Sequence, residues 1–309
     1  MSVSALVELP AAQWSELAAA HQRRARRFGE PFTTRRMTGA KHPIEDFLFT
    51  YYTQKPGQLY RWHPGAGVRL VGQQARDYQE VKFYRFTEAG PDSYAEVDVP
   101  AFAAARARMI EFARILLSKT SQRQANFACF GLHEWAMAYK SEVNGIRHDY
   151  LPLRLGARGT DRVVEEHRIR CTHFDAFRFY SPQAVELNEL QPTRETQRDL
   201  EQPGCLHANM DLYKWAYKLL PLVPSELMMD CFELAWDIRT MDMQASPYDL
   251  AEWGYAAIRI ESPEGKAEYV RAQKRFAQRA EVLRTRLLDV VNSIKLPTGS
   301  TETVTQEGR

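Results

Sequence analysis

The sequence predicts a mainly α fold with a small β component (α+β), built as a single helical domain with a short-stranded insert. After Pro192 the chain reads almost wholly as helix, with apolar residues recurring at helical spacing. Strand-like alternation is confined to short pieces before Pro182. No internal repeat or low-complexity linker divides the 309 residues. One globular domain over residues 1–295 follows, opening with a basic N-terminal arm at 1–41 and ending in a Thr-, Ser-, Gly- and Glu-containing tail at 296–309 that is expected to be disordered.

The Ala-rich stretch from Pro10 to Phe28 predicts a helix whose last-turn cations face its own carbonyl ends. A second helix is expected from His42 to Tyr52, with Pro43 in its first turn and Ile44, Phe47, Leu48 and Tyr51 on one face. Tyr60 to Gly65 reads as a turn, Val68 to Gly72 and Glu80 to Phe86 as short strands, and Gly90 to Asp92 as another turn. Phe102, Met109, Phe112, Ala113 and Leu116 give a long amphipathic helix over Pro100 to Ser118. Phe130 to Tyr139 reads as a short buried helix. Near-alternation of Ile169, Cys171, Phe177 and Phe179 predicts a strand within Val163 to Phe179, closed by Pro182. The C-terminal helices are Thr193 to Leu200, Ala208 to Leu220, Ser225 to Met241 and Ser262 to Ile294. Pro224-Ser225 and Ser262-Pro263-Glu264 provide helix-opening signals for the last two.

A 35.7 kDa chain with 44% hydrophobic residues can fill a sizeable core. No apolar run is long enough to span a bilayer, and the start lacks the order of a signal peptide, so a cytoplasmic protein without a membrane partner is expected. Cys129, Cys171, Cys205 and Cys231 form no CxxC pair, which argues for reduced thiols rather than a zinc ribbon or disulfide scaffold. The net charge of +2 draws no polyanion by itself. Locally, Arg23, Arg24, Arg26 and Arg27, with Arg35, Arg36 and Lys41 beyond them, could meet phosphate or form a solvated helix face. There is no GxGxxG after a strand, no GxxxxGK[ST], no HExxH and no GxSxG. Dinucleotide oxidoreductases, P-loop NTPases, zincins and α/β-hydrolases are therefore disfavoured.

Chemistry concentrates in three runs that set a histidine near a carboxylate among aromatic residues. They are His133-Glu134-Trp135, His173-Phe-Asp175, and His207-Ala-Asn-Met-Asp211-Leu-Tyr213-Lys214-Trp215. His207 and Asp211 stand four apart on a predicted helix and share a face, either for a metal ion or for a local hydrogen bond. Lys214, Trp215 and Lys218 continue that face with groups suited to an anionic aromatic ligand. On a strand, His173 and Asp175 would point the same way, and with His207 they make the two-imidazole, one-carboxylate set of non-haem iron oxygenases. Adjacent His133 and Glu134 diverge on a helix, so one should face the site while the other caps or pairs. His42 with Glu45 and Asp46, turn-held His63, and the Asp230, Glu233, Asp237 face are further candidates with ordinary structural explanations. The three imidazoles of His133, His173 and His207 are expected to converge, with Asp175 or Asp211.

The runs His42 to Tyr52, Arg61 to Gly65, Phe130 to Met137, Cys171 to Arg178 and Gly204 to Ala216 together resemble a bacterial, largely actinobacterial, family commonly labelled 3-methyladenine DNA glycosylase, over roughly residues 40 to 290. The resemblance implies hydrolysis of the N-glycosidic bond to an alkylated purine in DNA. Asp211 or Asp175 would then be the carboxylate that stabilises the oxocarbenium-like sugar or orients water. Trp135, Tyr213 and Trp215 would stack the flipped base, and Arg23, Arg24, Arg26 and Arg27 would hold phosphates. The alternative from the residues themselves is a metal-dependent enzyme acting on a small molecule. Its iron or zinc would be held by ligands from His133, His173, Asp175, His207 and Asp211.

Overall fold

The computed structural model describes residues 6–297. It is 58% helical with one small sheet, the mainly α arrangement expected. Strands β1 (Val7–Pro10), β2 (Val68–Val71), β3 (Tyr84–Thr87) and β4 (Tyr94–Val97) form a sheet of order β1-β2-β4-β3. β1 pairs parallel to β2, with Leu9 opposite Leu70, and the other two pairings are antiparallel. Leu70 and Ala95, opposite one another, are both fully buried, so one face of the sheet joins the core.

The helices that carry the core and the site are α1 (Ala11–Thr38), α2 (Val99–Gln122), α3 (Leu132–Met137), α4 (Gly156–Glu166), α5 (Leu206–Lys218), α6 (Ser225–Gln244) and α7 (Pro263–Ser293). Their ends follow local chemistry. The Asp98 side chain accepts from Ala101 N at 3.0 Å to cap α2, and the Ser262 hydroxyl accepts from Gly265 N at 3.1 Å to cap α7. α1 stops at Gly39, whose φ of 72° is the left-handed conformation that glycine adopts without penalty. α5 is buried on nearly every side and packs between α6 and α7, with α7 reaching α2. A contiguous apolar core runs from Trp14 to Ile294, with a satellite of Ile44, Leu151, Met243, Tyr248 and Leu250 beside it.

Several elements differ from expectation. Val163 to Phe179 is not a strand: α4 occupies its start, and Phe174–Phe177 forms a helical turn. Between them Ile169 and Cys171 point inward and Arg170 outward, so the alternation marks extended backbone that has only a single bridge, to Asn188, in place of a partner strand. Helix in the 42–52 region is limited to Phe47–Tyr51, because the His42 ring nitrogen accepts from Ile44 N and Glu45 N and holds a turn there. The helix expected at 193–200 shortens to Gln197–Leu200, and the second strand to Tyr84–Thr87.

The basic N-terminal arm is not a free arm. Its residues belong to α1, which continues through Pro31 and buries Trp14, His21, Ala25 and Phe32 against the body. From residue 298 on, the tail lies outside the described residues. Among the described residues no helix is long and apolar enough to cross a membrane.

Candidate metal centre

α3, α5 and the segment before Phe174 bring the three motif histidines together, with carboxylates from α5, α6 and residues 197–201 beside them. Gly131, at φ 70°, turns the chain into α3, and a Cβ there would stand 3.2 Å from the Tyr269 ring of α7. That close approach fixes α3 with His133 inward. His207 lies in the first turn of α5. His173 precedes the Phe174–Phe177 turn and faces the same interior. The rings of His133 and His207 meet edge to face at 4.4 Å between centroids, and those of His173 and His207 stack at 5.3 Å.

Two triads result. In one, His133, His207 and Asp242 place ligand atoms within 4.8 Å of one another; in the other, His173, Glu201 and Asp211 do the same, and all six residues are buried. His133 Nε2 lies 3.0 Å from Asp242 Oδ2. His173 Nε2 lies 3.3 Å from Asp211 Oδ2 and 3.4 Å from Glu201 Oε1. Asp211 also pairs with Lys214 and accepts a hydrogen bond from the Tyr52 hydroxyl at 3.0 Å. Asp242 Oδ1 and His173 Nδ1 have no hydrogen-bond partner, which is exceptional for buried polar atoms.

The local field sorts the protonation states. Burial opposes a proton on His133, but the charge and hydrogen bond of Asp242 outweigh it and raise the imidazole well above its ordinary range. His173 is raised in the same way, against burial, by its hydrogen bond to Asp211 and by Glu201. Burial, reinforced by the neighbouring His133 and His173, drives His207 far down, leaving it neutral with a free lone pair. Burial would raise the Asp211 carboxyl, yet Lys214 and His173 hold it below the usual carboxylate range. Glu201 moves up, chiefly by burial.

Glu134 diverges from His133 as expected and binds Arg239 at 2.6 Å. Asp175 joins neither triad. It follows His173 into a helical turn instead of sharing a strand face with it, and pairs at the surface with Arg178 and Lys214, so it does not supply the carboxylate of a His173, Asp175, His207 set. Glu201 and Asp242 take that part. Asp242 follows Ala235 and Ile238 at helical spacing on the buried stripe of α6, and an acid on such a stripe was the available signal. Asp230, Glu233 and Asp237 lie on another face, neutralised by Arg24, Arg286 and Arg279.

The expected ligand-contacting residues are mostly enclosed. Trp135 and Tyr213 are 0% exposed, and the indole N–H of Trp135 donates to Ala245 O at 2.8 Å. Trp215 is buried beneath Lys214 and Lys218. In α1, Arg24 binds Asp230 and Glu233 and Arg26 binds Glu30, while Arg23 and Arg27 are exposed. A narrow cleft of about 10 Å³ reaches His133 and His207, passing Cys129, Cys171 and Cys205; it has room for a water-sized ligand.

Comparison with family models, curated proteins and solved structures gives no match.

Proposed function

We propose that this chain is a metal-dependent enzyme acting on a small molecule, its ion held by the His133, His207, Asp242 triad and, for a second ion, by His173, Glu201 and Asp211. The observation that carries the reading is the pair of buried triads, joined through the His207 ring, with ligand atoms already within 4.8 Å in each. Nitrogen and oxygen donors without thiolate suit iron, zinc or manganese. The first triad has the two-imidazole, one-carboxylate composition that leaves coordination positions open, and the cleft that reaches it admits a water-sized ligand. The unpartnered Asp242 Oδ1 and the neutral His207 ring fit a cation between them. When bound, the ion would supply Lewis acidity or redox capacity. The chain's own part is to exclude bulk water and to hold the ligand side chains together, with Asp211 kept ionised by Lys214 and His173 until an ion takes their place.

The base-excision activity implied by the family resemblance would require an accessible aromatic platform beside Asp211. Trp135, Tyr213 and Trp215 are all buried, so the geometry favours the metal reading. The four free cysteines support a reducing compartment such as the cytoplasm.

Elemental analysis of protein purified without chelator or metal-affinity resin tests the proposal. It predicts stoichiometric iron, zinc or manganese, with loss of metal in His207→Ala and Asp242→Asn. Protein that carries no metal and binds none in calorimetric titration with Fe(II), Zn(II) or Mn(II) would refute it.

A further inference from the structure

A second and larger cleft, about 990 Å³, opens between the Thr53–Arg61 segment, the loop before β3, α2 and the C-terminal end of α5. Lys55, Arg61, Lys82, Arg106 and Lys218 line it, and no Asp or Glu does. That asymmetry is unusual for this molecule. Acidic and basic residues nearly balance, 39 against 41. Arginines elsewhere, such as Arg24, Arg35, Arg69 and Arg154, are matched by carboxylates. Among the described residues none of the five cleft cations has an ion-pair partner. Like charges around a low-dielectric concavity focus a positive field into it, and an anion is what that field concentrates.

The rest of the lining specifies more than charge. Gln54, only 4% exposed, is among the lining residues, and its buried Oε1 accepts no hydrogen bond within the protein. Phe83, Met109 and Tyr217 add apolar and aromatic surface to the lining. Two backbone irregularities occur among the lining residues. Phe83 has a φ of 65°, and Arg106 breaks the helical geometry of α2 at φ −129°, ψ 17°. The left-handed backbone of Phe83 is strained, and such strain persists where surrounding structure enforces it and collects at ligand sites.

We propose that this cleft binds a phosphorylated small molecule bearing a ring and a hydrogen-bond donor, of the nucleoside-phosphate class. The phosphates lie among the five cations, the ring against Phe83, and a base or sugar donor meets Gln54. The volume lies within the range of small-ligand pockets. The inference is independent of the metal reading, since none of the lining residues belongs to either triad.

Titration of the full chain with fluorescently labelled ADP, followed by anisotropy, tests it, with unlabelled ADP, pyrophosphate, adenosine and a single-stranded 20-mer DNA as competitors. ADP should bind, adenosine at least tenfold more weakly, and added salt should weaken the phosphate ligands. Arg61→Gln with Arg106→Gln should weaken ADP at least tenfold. Arg108→Gln, which lies outside the cleft, should leave binding unchanged; all these side chains are exposed, and circular dichroism checks folding. Gln54→Leu should weaken ADP but not pyrophosphate. Absence of ADP binding at millimolar concentration, binding unaffected by the double substitution, or preference for the 20-mer over ADP would each overturn the proposal, the last in favour of nucleic acid.

Discussion

Arg239→Met should destabilise the protein by about 3 kcal/mol near neutral pH, because it strands a buried carboxylate. Arg239 and Asp242 sit three residues apart on α6 and meet Glu134 and His133, neighbours on α3, so the ion pair and the His133–Asp242 contact form adjoining rows of one interface. The Glu134 and Arg239 side chains are 7% and 3% exposed. Burial alone would raise the Glu134 carboxyl, but Arg239 first, with His133 and His148 behind it, pulls it from 4.5 to about 2. At roughly 1.4 kcal/mol per unit this is about 3 kcal/mol, consistent with the ~3–5 kcal/mol typical of breaking a buried pair from one side. A depressed folded-state value gives stability that is present above pH 4.5 and lost as pH falls from there toward about 2. Urea unfolding at pH 7 and at pH 3.5 measures both effects. Arg239→Met should lower stability at pH 7 and flatten the fall between the two pH values. Glu134→Leu with Arg239→Met should recover most of the loss, since two apolar groups leave no charge stranded. A single substitution costing under 1 kcal/mol would refute this account of the α3–α6 interface.

Acid should also act through His63, whose burial, together with Arg61 and His21, lowers its imidazole from 6.5 to about 3. The unfolded chain then binds the extra proton, so stability falls as pH drops below 6.5, by about 2 kcal/mol at pH 5 from this group; His63→Gln should flatten that limb of the urea midpoint-versus-pH curve. Gly131→Ala puts a side chain at φ 70° against the Tyr269 ring and should cost about 1–3 kcal/mol by thermal or urea unfolding; a neutral effect would show that α3 tolerates another entry. Lys214→Met removes the cation that competes for Asp211, so calorimetry should show tighter binding of a divalent ion. Weaker binding in a folded Lys214→Met variant would place the ion away from Asp211.

The helical core was legible because it rests on local pattern, and the three histidines stood out because each lies near a carboxylate in an apolar run. Apolar periodicity placed α2, α5, α6 and α7, and the His207–Asp211 spacing put both side chains in the interior. The carboxylates that complete the triads were not legible in the same way. Glu201 stands at the end of a one-turn helix, and Asp242 shares α6 with the charged face of Asp230, Glu233 and Asp237, which arginines from α1 and α7 neutralise across distances no local pattern encodes. The 163–179 region failed for a related reason. Alternation at Ile169 and Cys171 reports extended backbone, whereas a strand also needs a partner, and only tertiary structure supplies one.

Diffraction from a crystal soaked with Fe(II) or Zn(II), measured at the metal absorption edge, tests the central claim most directly. An anomalous peak between His133, His207 and Asp242, about 2.0–2.2 Å from their ligand atoms, is the predicted result, with a second peak at His173, Glu201 and Asp211 if two ions are held. Anomalous density elsewhere, with both triads unchanged and empty in metal-saturated crystals, would contradict it.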